Sequence, residues 1–151
     1  GMRHMLLNGE DVTEKIRLPE ISMYASAVSA IPAVRDYLLD MQRDMTKRCS
    51  VIMDGRDIGT VVLPQAQVKI FLSADVEVRA RRRTAELEQR GTPKPYAQVL
   101  EEMKERDWAD SHRETAPLRP AEDAVVVDTT NMDFQQSKEA ILQVIGRQLQ
   151  L

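Results

Sequence analysis

The sequence is poor in aromatic residues, cysteine and histidine. Of its 151 residues 4% are aromatic, one is cysteine and two are histidine. Stacking platforms for nucleobases are therefore scarce, and the core must be built from aliphatic and methionine side chains. A single cysteine excludes an internal disulfide and a cysteine-rich metal site and fits a reducing compartment. We expect Cys49 to be a buried thiol rather than a nucleophile, because His4 and His112 have no clear relation to it in the sequence.

The sequence also lacks long apolar runs and an excess of positive charge. No window approaches the roughly 18 apolar residues of a membrane span, and no charged-then-apolar leader opens the chain, so we expect a cytoplasmic protein without a membrane partner. The net charge is −3, whereas a general nucleic-acid binder usually has a basic domain. We therefore expect no nucleic-acid partner, and any anion site must be a local cluster of basic side chains.

One apolar segment runs directly into a cluster of charges. Val51 to Met53 precedes Asp54, Gly55, Arg56 and Asp57, which predicts a buried strand that ends in a tight, charged turn. Ligands of open α/β sheets bind beyond the carboxyl ends of the strands, so this turn is a candidate site. An ordinary surface turn is the alternative, because Asp-Gly is common in turns.

The other segments alternate between strand-like and helix-like patterns. Asn8-Gly9 predicts a hairpin within residues 5–12. Apolar spacing predicts a helix from Pro32 to Met45, with Arg43 on a solvated face. Further segments are strands at 68–73 and 124–127, a helix capped by Asp75 that ends near residue 90, a helix at about 98–110, and a last helix opened by a capping box at Asp133. This order predicts an α/β fold with a parallel sheet flanked by helices.

Two of these helices carry charged side chains at helical spacing. The first set is Arg79, Arg82 and Arg83, and the second is Arg106, Asp110 and Arg113. A solvated face interleaved with glutamates accounts for the first set without any function. The alternative is an anion clamp, because guanidinium groups match phosphate oxygens and stay charged. Together with the charged turn, these sets predict a site for clustered phosphates, as phosphoryl transfer requires.

These segments make the sequence resemble the bacterial cytidylate kinases, a family of nucleoside monophosphate kinases. The similar stretches cover nearly the whole chain and include DGRDIGTVVLPQAQVKIFLSA, RARRRTAELEQRG and KERDWADSHRETAPLRPAEDAVVVDTT. GRDIGT followed by KERD-x-x-D-x-x-R is not a general nucleotide-binding pattern. The resemblance implies a P-loop kinase-like parallel sheet flanked by helices. It also implies phosphoryl transfer from ATP, with Mg²⁺, to CMP or dCMP.

The resemblance further implies a role for each matching position. The cytosine ring would be recognised by Ser26, Arg35 and Asp57. The acceptor phosphate would lie near Arg56 and Arg113, and the ribose near Arg106 and Asp110. A mobile lid closing over the donor phosphates would carry the catalytic Arg79, Arg82 and Arg83. Asp54 would hold water on magnesium.

The sequence departs from the family in one motif. It contains no G-x-x-x-x-G-K-[ST], the loop that cradles donor phosphates, so the N-terminal central strand and the phosphate loop are expected to be missing. Residues 1–30 would be a remnant of the monophosphate-binding insert, and residues 31–151 a core with a lid at about 79–113. We expect the isolated chain to be inactive and its open sheet edge to form a homo-oligomer. The alternative is a non-catalytic nucleotide-binding or oligomerisation module.

Overall fold

A computed structural model describes residues 4–150, except for the side chains of Pro19 and Ser22. The chain divides into two units, residues 1–42 and residues 43–151. The first three residues of the expected 1–30 insert lie outside the described part of the chain. The assignment of residues 1–30 and 31–151 to insert and core stays a prediction.

The first unit opens with the expected hairpin. Strands β1 (Leu6–Leu7) and β2 (Glu10–Asp11) pair antiparallel. Both turn residues have positive φ, 51° at Asn8 and 87° at Gly9, and these two residue types tolerate that conformation best. The Thr13 hydroxyl, 2.6 Å from a carboxylate oxygen of Asp11, holds the pKa of Asp11 below its usual value. The hairpin prediction is confirmed.

Two helices follow a short 3₁₀ turn at Lys15–Arg17. Helix α1 spans Pro19–Ser29, and α2 spans Pro32–Thr46. Proline suits the first turn of a helix because the missing N–H has no intrahelical acceptor there. The last turn of α2 belongs to the second unit, where Arg43 donates to the carbonyls of Val61 and Val62 over 2.8 and 3.0 Å. The expectation that Arg43 would lie on a solvated face is therefore wrong.

The second unit contains a parallel strand pair and three helices. Strands β3 (Ile70–Ser73) and β4 (Val125–Asp128) pair in parallel, with Ile70 opposite Val125. The helices are α3 (Val76–Gln89), α4 (Tyr96–His112) and α5 (Phe134–Leu149). Asp133 opens α5 with the expected capping box, because its side chain accepts from the Gln136 N–H while the Gln136 side chain accepts from the Asp133 N–H. An α/β fold with a parallel sheet is thus present.

The core that positions the site lies between α3 and α4. Ala80 and Leu87 of α3 pack with Val99 of α4, and partly buried Leu100 and Met103 cover them. This cluster contains only aliphatic and methionine side chains, as the scarcity of aromatic residues predicts. It holds the two arginine-bearing helices side by side.

Three local predictions are wrong. Residues 51–54 form no strand, and Ile52 is fully exposed, because no neighbouring strand among the described residues pairs with them. Asp75 makes no side-chain cap, and its backbone N–H donates to the Thr130 hydroxyl instead. Cys49 is exposed because it lies in the turn after α2.

Candidate functional site

The charged turn leads into a π-helix at Ile58–Val62. The carbonyl of Asp57 accepts from the N–H groups of Val61 and Val62, 2.8 and 3.2 Å away. A Cβ at Gly55 would lie 2.9 Å from Cγ1 of Ile58, so any other residue there would force the Ile58 side chain to shift. Single-turn π-helices are frequent at functional sites. Here the π-helix follows directly after Arg56 and Asp57.

A buried carboxylate is the centre of the site. Asp110, in the last turns of α4, is only 5% exposed. The Arg56 Nε donates to Oδ2 of Asp110 over 3.1 Å, and the Arg106 Nε lies 3.8 Å from the same oxygen. Two guanidinium groups from separate segments therefore share one negative charge. The cluster keeps a net positive charge and can attract an anion.

Burial and the neighbouring charges change the pKa of Arg106. Burial lowers the pKa of Arg106 most, the like charge of Arg56 lowers it further, and the carboxylates of Asp110 and Asp107 oppose both effects only in part. Two buried donor atoms of the described residues, Arg106 Nε and Arg113 Nη2, have no hydrogen-bond acceptor. A buried polar group without a partner costs about 1–3 kcal/mol. An incoming anion or hydroxyl would remove that cost.

The connector after α4 is held beside Asp110 in a strained conformation. Arg113 Nε donates to the carbonyl of Ala116 over 2.7 Å, and Ala116 has a φ of 51°. The Leu118 N–H donates to the carbonyl of Asp110 over 2.8 Å. A non-glycine residue in the left-handed region costs about 1 kcal/mol or more and persists where the surroundings impose it, often at ligand sites.

The first arginine set has partners of its own within the second unit. Arg79 makes a bidentate pair with Asp107, at 2.6 and 3.1 Å. Arg82 donates to the carbonyls of Thr129 and Met132 over 2.6 and 2.8 Å. Arg83 pairs with Glu86 of the same helix over 2.7 Å. The three side chains are thus engaged separately, and their catalytic role in a lid stays a prediction.

The two expected cytosine contacts outside the second unit are linked through the end of α1. Arg35 donates to the carbonyl of Ser29 over 3.0 Å, and the Ser29 hydroxyl donates to the carbonyl of Ser26 over 2.9 Å. A cation is favourable at the C-terminus of a helix, where carbonyl groups lack intrahelical donors. The roles of Ser26 and Arg35 in base recognition, like that of Asp57, stay predictions.

Comparison with known proteins identifies the family. The model of the family described as "Cytidylate kinase" matches residues 1–147. This chain belongs to the cytidylate kinase family. A protein of Caldicellulosiruptor saccharolyticus named "Cytidylate kinase" is 52% identical over 99% of this chain and 68% of its own length. Proteins of the same name from Caldicellulosiruptor bescii and Carboxydothermus hydrogenoformans are 54% and 50% identical, each over 95% of this chain and 64% of their own length. The chain thus spans about two thirds of the length of these cytidylate kinases.

Proteins of the cytidylate kinase family generally use ATP and Mg²⁺. The described residues of this chain do not form a magnesium site by themselves. Within residues 4–150 no group of three or more His, Cys, Asp and Glu side chains could hold a metal ion. Asp54 lines a cleft of about 240 Å³ beside the turn and is the only acidic residue that lines it in the described chain. Lys69, the buried cation there, is bound to Asp123 over 2.6 Å. The role of Asp54 toward magnesium stays a prediction.

Sequence analysis missed the residues that hold the site in shape. Arg43 and Asp107 left no signal, because their partners, backbone carbonyls and a side chain 28 positions away, depend on the tertiary fold. The Lys69–Asp123 pair spans 54 positions.

None of the helices that the structure describes is both long and apolar enough to span a membrane.

Proposed function

We propose that this chain carries the acceptor-nucleotide side of a cytidylate kinase and binds CMP or dCMP at the Asp110 cluster. Arg56 and Arg113 bind the phosphate of the nucleotide. Arg106 donates to the ribose, and Asp110 accepts from a ribose hydroxyl. By the resemblance to the family, the hydroxyl of Ser26, the guanidinium of Arg35 and the carboxylate of Asp57 together satisfy the hydrogen-bonding groups of cytosine, with the carboxylate accepting from the amino group and the guanidinium donating to an acceptor of the ring.

The observation that carries this proposal is the pair of buried donors without acceptors, Arg106 Nε and Arg113 Nη2. Guanidinium groups form their strongest hydrogen bonds with phosphate and carboxylate oxygens. The like charge of Arg56 is unfavourable for the charged form of Arg106, and a bound phosphate would offset this repulsion. Membership of the cytidylate kinase family is the reason for proposing CMP or dCMP as the ligand and for assigning it the role of phosphate acceptor.

Phosphoryl transfer from ATP would need donor groups that these 151 residues do not contain. The sequence has no phosphate-loop motif, and Arg79, Arg82 and Arg83 already have partners. We therefore propose that this polypeptide alone forms no ADP from ATP and CMP. When bound, ATP and Mg²⁺ would supply the phosphoryl group and the charge neutralisation for its transfer.

We also propose that copies of this chain form a homo-oligomer through the open sheet edge. Sedimentation equilibrium tests this proposal.

Isothermal titration calorimetry with CMP, AMP and UMP tests the acceptor site. CMP is expected to bind at least about 10-fold more tightly than UMP, because base-recognising polar groups left unpaired by the wrong base cost about 1–3 kcal/mol. Equal affinity for the three nucleotides, or no binding of any, would remove the proposal.

Arg113→Met and Arg119→Met form a matched pair of variants for this titration. Both remove an arginine near the same connector, but only Arg113 has a buried donor without an acceptor. Loss of CMP affinity is expected for Arg113→Met alone. An equal loss in both variants would indicate a general effect of surface charge and not a site.

A further inference from the structure

Two hydrogen-bond registers of the π-helix compete at Asp57. The Asp57 carbonyl accepts from the Val62 N–H over 3.2 Å, which is the π register, and from the Val61 N–H over 2.8 Å, which is the register of an α-helix. The Leu63 N–H donates to the carbonyl of Ile58 over 2.7 Å and continues the π register. The π form is the rarer of the two. Contacts from outside the segment are therefore expected to select it.

One guanidinium group holds the last two carbonyls of the π-helix. Arg43 Nη2 donates to the carbonyl of Val61 over 2.8 Å, and Arg43 Nε donates to that of Val62 over 3.0 Å. Carbonyl groups in the last turn of a helix have no intrahelical donor, and a cation is favourable there. Because the donors of a guanidinium form a rigid fork, these bonds fix the orientation of the two carbonyls relative to each other. Arg43 thus stabilises the register that the segment adopts.

A second support lies under the middle of the π-helix and does not involve Arg43. A Cβ at Gly59 would lie 3.4 Å from Cδ of Lys69, so the backbone of the π-helix packs on the aliphatic part of this side chain. The Lys69 Nζ is bound to Asp123 over 2.6 Å, which holds the side chain in place. A substitution at Arg43 would therefore release the end of the π-helix and leave its contact with Lys69 intact.

Two residues that we assign to the nucleotide directly precede the π-helix. The Arg56 Nε donates to Asp110 over 3.1 Å, and Asp57 is buried at the N-terminus of the π-helix. Because the carbonyl of Asp57 accepts both competing bonds, a change of register changes the backbone at Asp57 and, with it, the direction of the Asp57 carboxylate. Arg43 is bonded to the other end of the same segment. It can therefore act on the site through the backbone.

We propose that Arg43 is a positioning residue of the acceptor site, which holds residues 57–62 in the π register and so sets the direction of the Asp57 carboxylate. The proposal rests on the proposed function, because it takes this carboxylate as the acceptor for the amino group of cytosine. Uracil has a carbonyl group in place of that amino group. A displaced carboxylate therefore loses the preference for CMP over UMP.

The test compares Arg43→Lys with the unsubstituted chain. Lysine keeps the charge, but its ammonium group is a point charge and not a planar fork. In calorimetry the preference for CMP over UMP, at least about 10-fold in the unsubstituted chain, should fall to about threefold or less in the variant. The amides of Val62 and Leu63 should exchange with solvent at least about 10-fold faster, because loss of the π register opens both bonds. Arg48→Met removes an exposed arginine from the turn after α2, and as the control it should change neither quantity.

The outcomes separate the positioning role from the proposed function. If the unsubstituted chain binds CMP and UMP equally, the proposed function fails and the positioning role falls with it. If that chain prefers CMP and Arg43→Lys keeps the preference, only the positioning role is overturned, even where urea unfolding shows that the variant is less stable. Unchanged exchange at both amides overturns it as well.

A measurement on the unsubstituted chain decides the matter if Arg43→Lys does not fold. A nucleotide that binds the π register preferentially must stabilise it. Saturating CMP should therefore slow the exchange of the Val62 and Leu63 amides more than saturating UMP does. Equal slowing by the two nucleotides overturns the positioning role.

Discussion

The arginines of α3 and those around Asp110 differ in whether their hydrogen-bonding capacity is met. Arg79, Arg82 and Arg83 each have close acceptors within the chain. In contrast, Arg106 and Arg113 each bury a donor atom for which the described chain provides no acceptor. The two sets look alike in sequence, since both have helical spacing.

This difference indicates which of the arginines are better placed to bind a ligand. A guanidinium that is fully bonded within the protein must lose those bonds before it can bind a ligand, so its intrinsic affinity for the ligand is reduced. A guanidinium with a buried, unpaired donor gains a bond without losing one. The Asp110 cluster is therefore the better candidate for nucleotide binding, and α3 the better candidate for holding the fold.

The largest expected effect is that of Arg106→Met on nucleotide affinity. The affinity for CMP should fall about 10- to 100-fold, since a hydrogen bond to a charged group contributes about 1.5–3 kcal/mol. Calorimetry measures the affinity and urea unfolding measures stability. Without ligand, the free energy of unfolding should stay equal or rise, because the substitution removes a buried unpaired donor and the repulsion by Arg56.

The opposite result for stability and affinity would overturn the distinction between the two arginine sets. If Arg106→Met unfolds more easily while it retains the affinity for CMP, Arg106 is structural and the cluster is not the acceptor site. Arg82→Met is the control in both measurements, because it removes the same group from the other set.

A second effect concerns stability alone. Asp110→Asn removes the negative charge that Arg56 and Arg106 share, and breaking a fully buried pair costs about 3–5 kcal/mol. Both arginines keep solvent contact, with 44% and 32% of their side chains exposed, so we expect a loss of about 2 kcal/mol by urea unfolding. Adding Arg106→Met to Asp110→Asn should raise the free energy of unfolding by more than Arg106→Met raises it on its own, because the repulsion by Arg56 is greater without Asp110. A double variant as unstable as the sum of the single ones would show that the charges do not interact.

A third, smaller effect tests the structural role of α3. Arg82→Met should lower the free energy of unfolding by about 1–2 kcal/mol, because the carbonyls of Thr129 and Met132 lose a charged donor. The affinity for CMP should stay within about twofold. Arg81→Met, on the same helix, is the control for loss of one charge. A large loss of CMP affinity in Arg82→Met would return α3 to the binding site.

The sequence predicted best those features that are decided by neighbouring residues. The turn at Asn8-Gly9 and the capping box at Asp133 and Gln136 depend on local φ preference and on hydrogen bonds three residues apart. The strands β3 and β4 also followed from short apolar runs. All of these formed where expected.

Features that depend on distant partners were not predictable from pattern. The apolar run from Val51 has the composition of a strand, but a strand needs a neighbour, and the described chain supplies none. Helical spacing placed the two arginine sets on helix faces, yet Asp107 and the carbonyl of Thr129, which engage the first set, are fixed by packing between elements. The sequence thus indicated a candidate site, which stays a prediction, while the difference between its arginines could not be predicted from the sequence.

The smallest expected effect is the coupling energy of a partly exposed ion pair, which we compare with that of a pair that contains a buried carboxylate. Arg79 and Asp107 keep 32% and 40% of their side chains exposed, so a double-mutant cycle with Arg79→Met and Asp107→Asn should give a coupling of about 0.5–1 kcal/mol. Raising NaCl toward 1 M, where the screening length is about 3 Å, should reduce it by more than half. The coupling between Arg106 and Asp110 should fall less, because Asp110 is buried. Equal sensitivity to salt would mean that both pairs are effectively at the surface, and the distinction between the two arginine sets would rest on the unpaired donors alone.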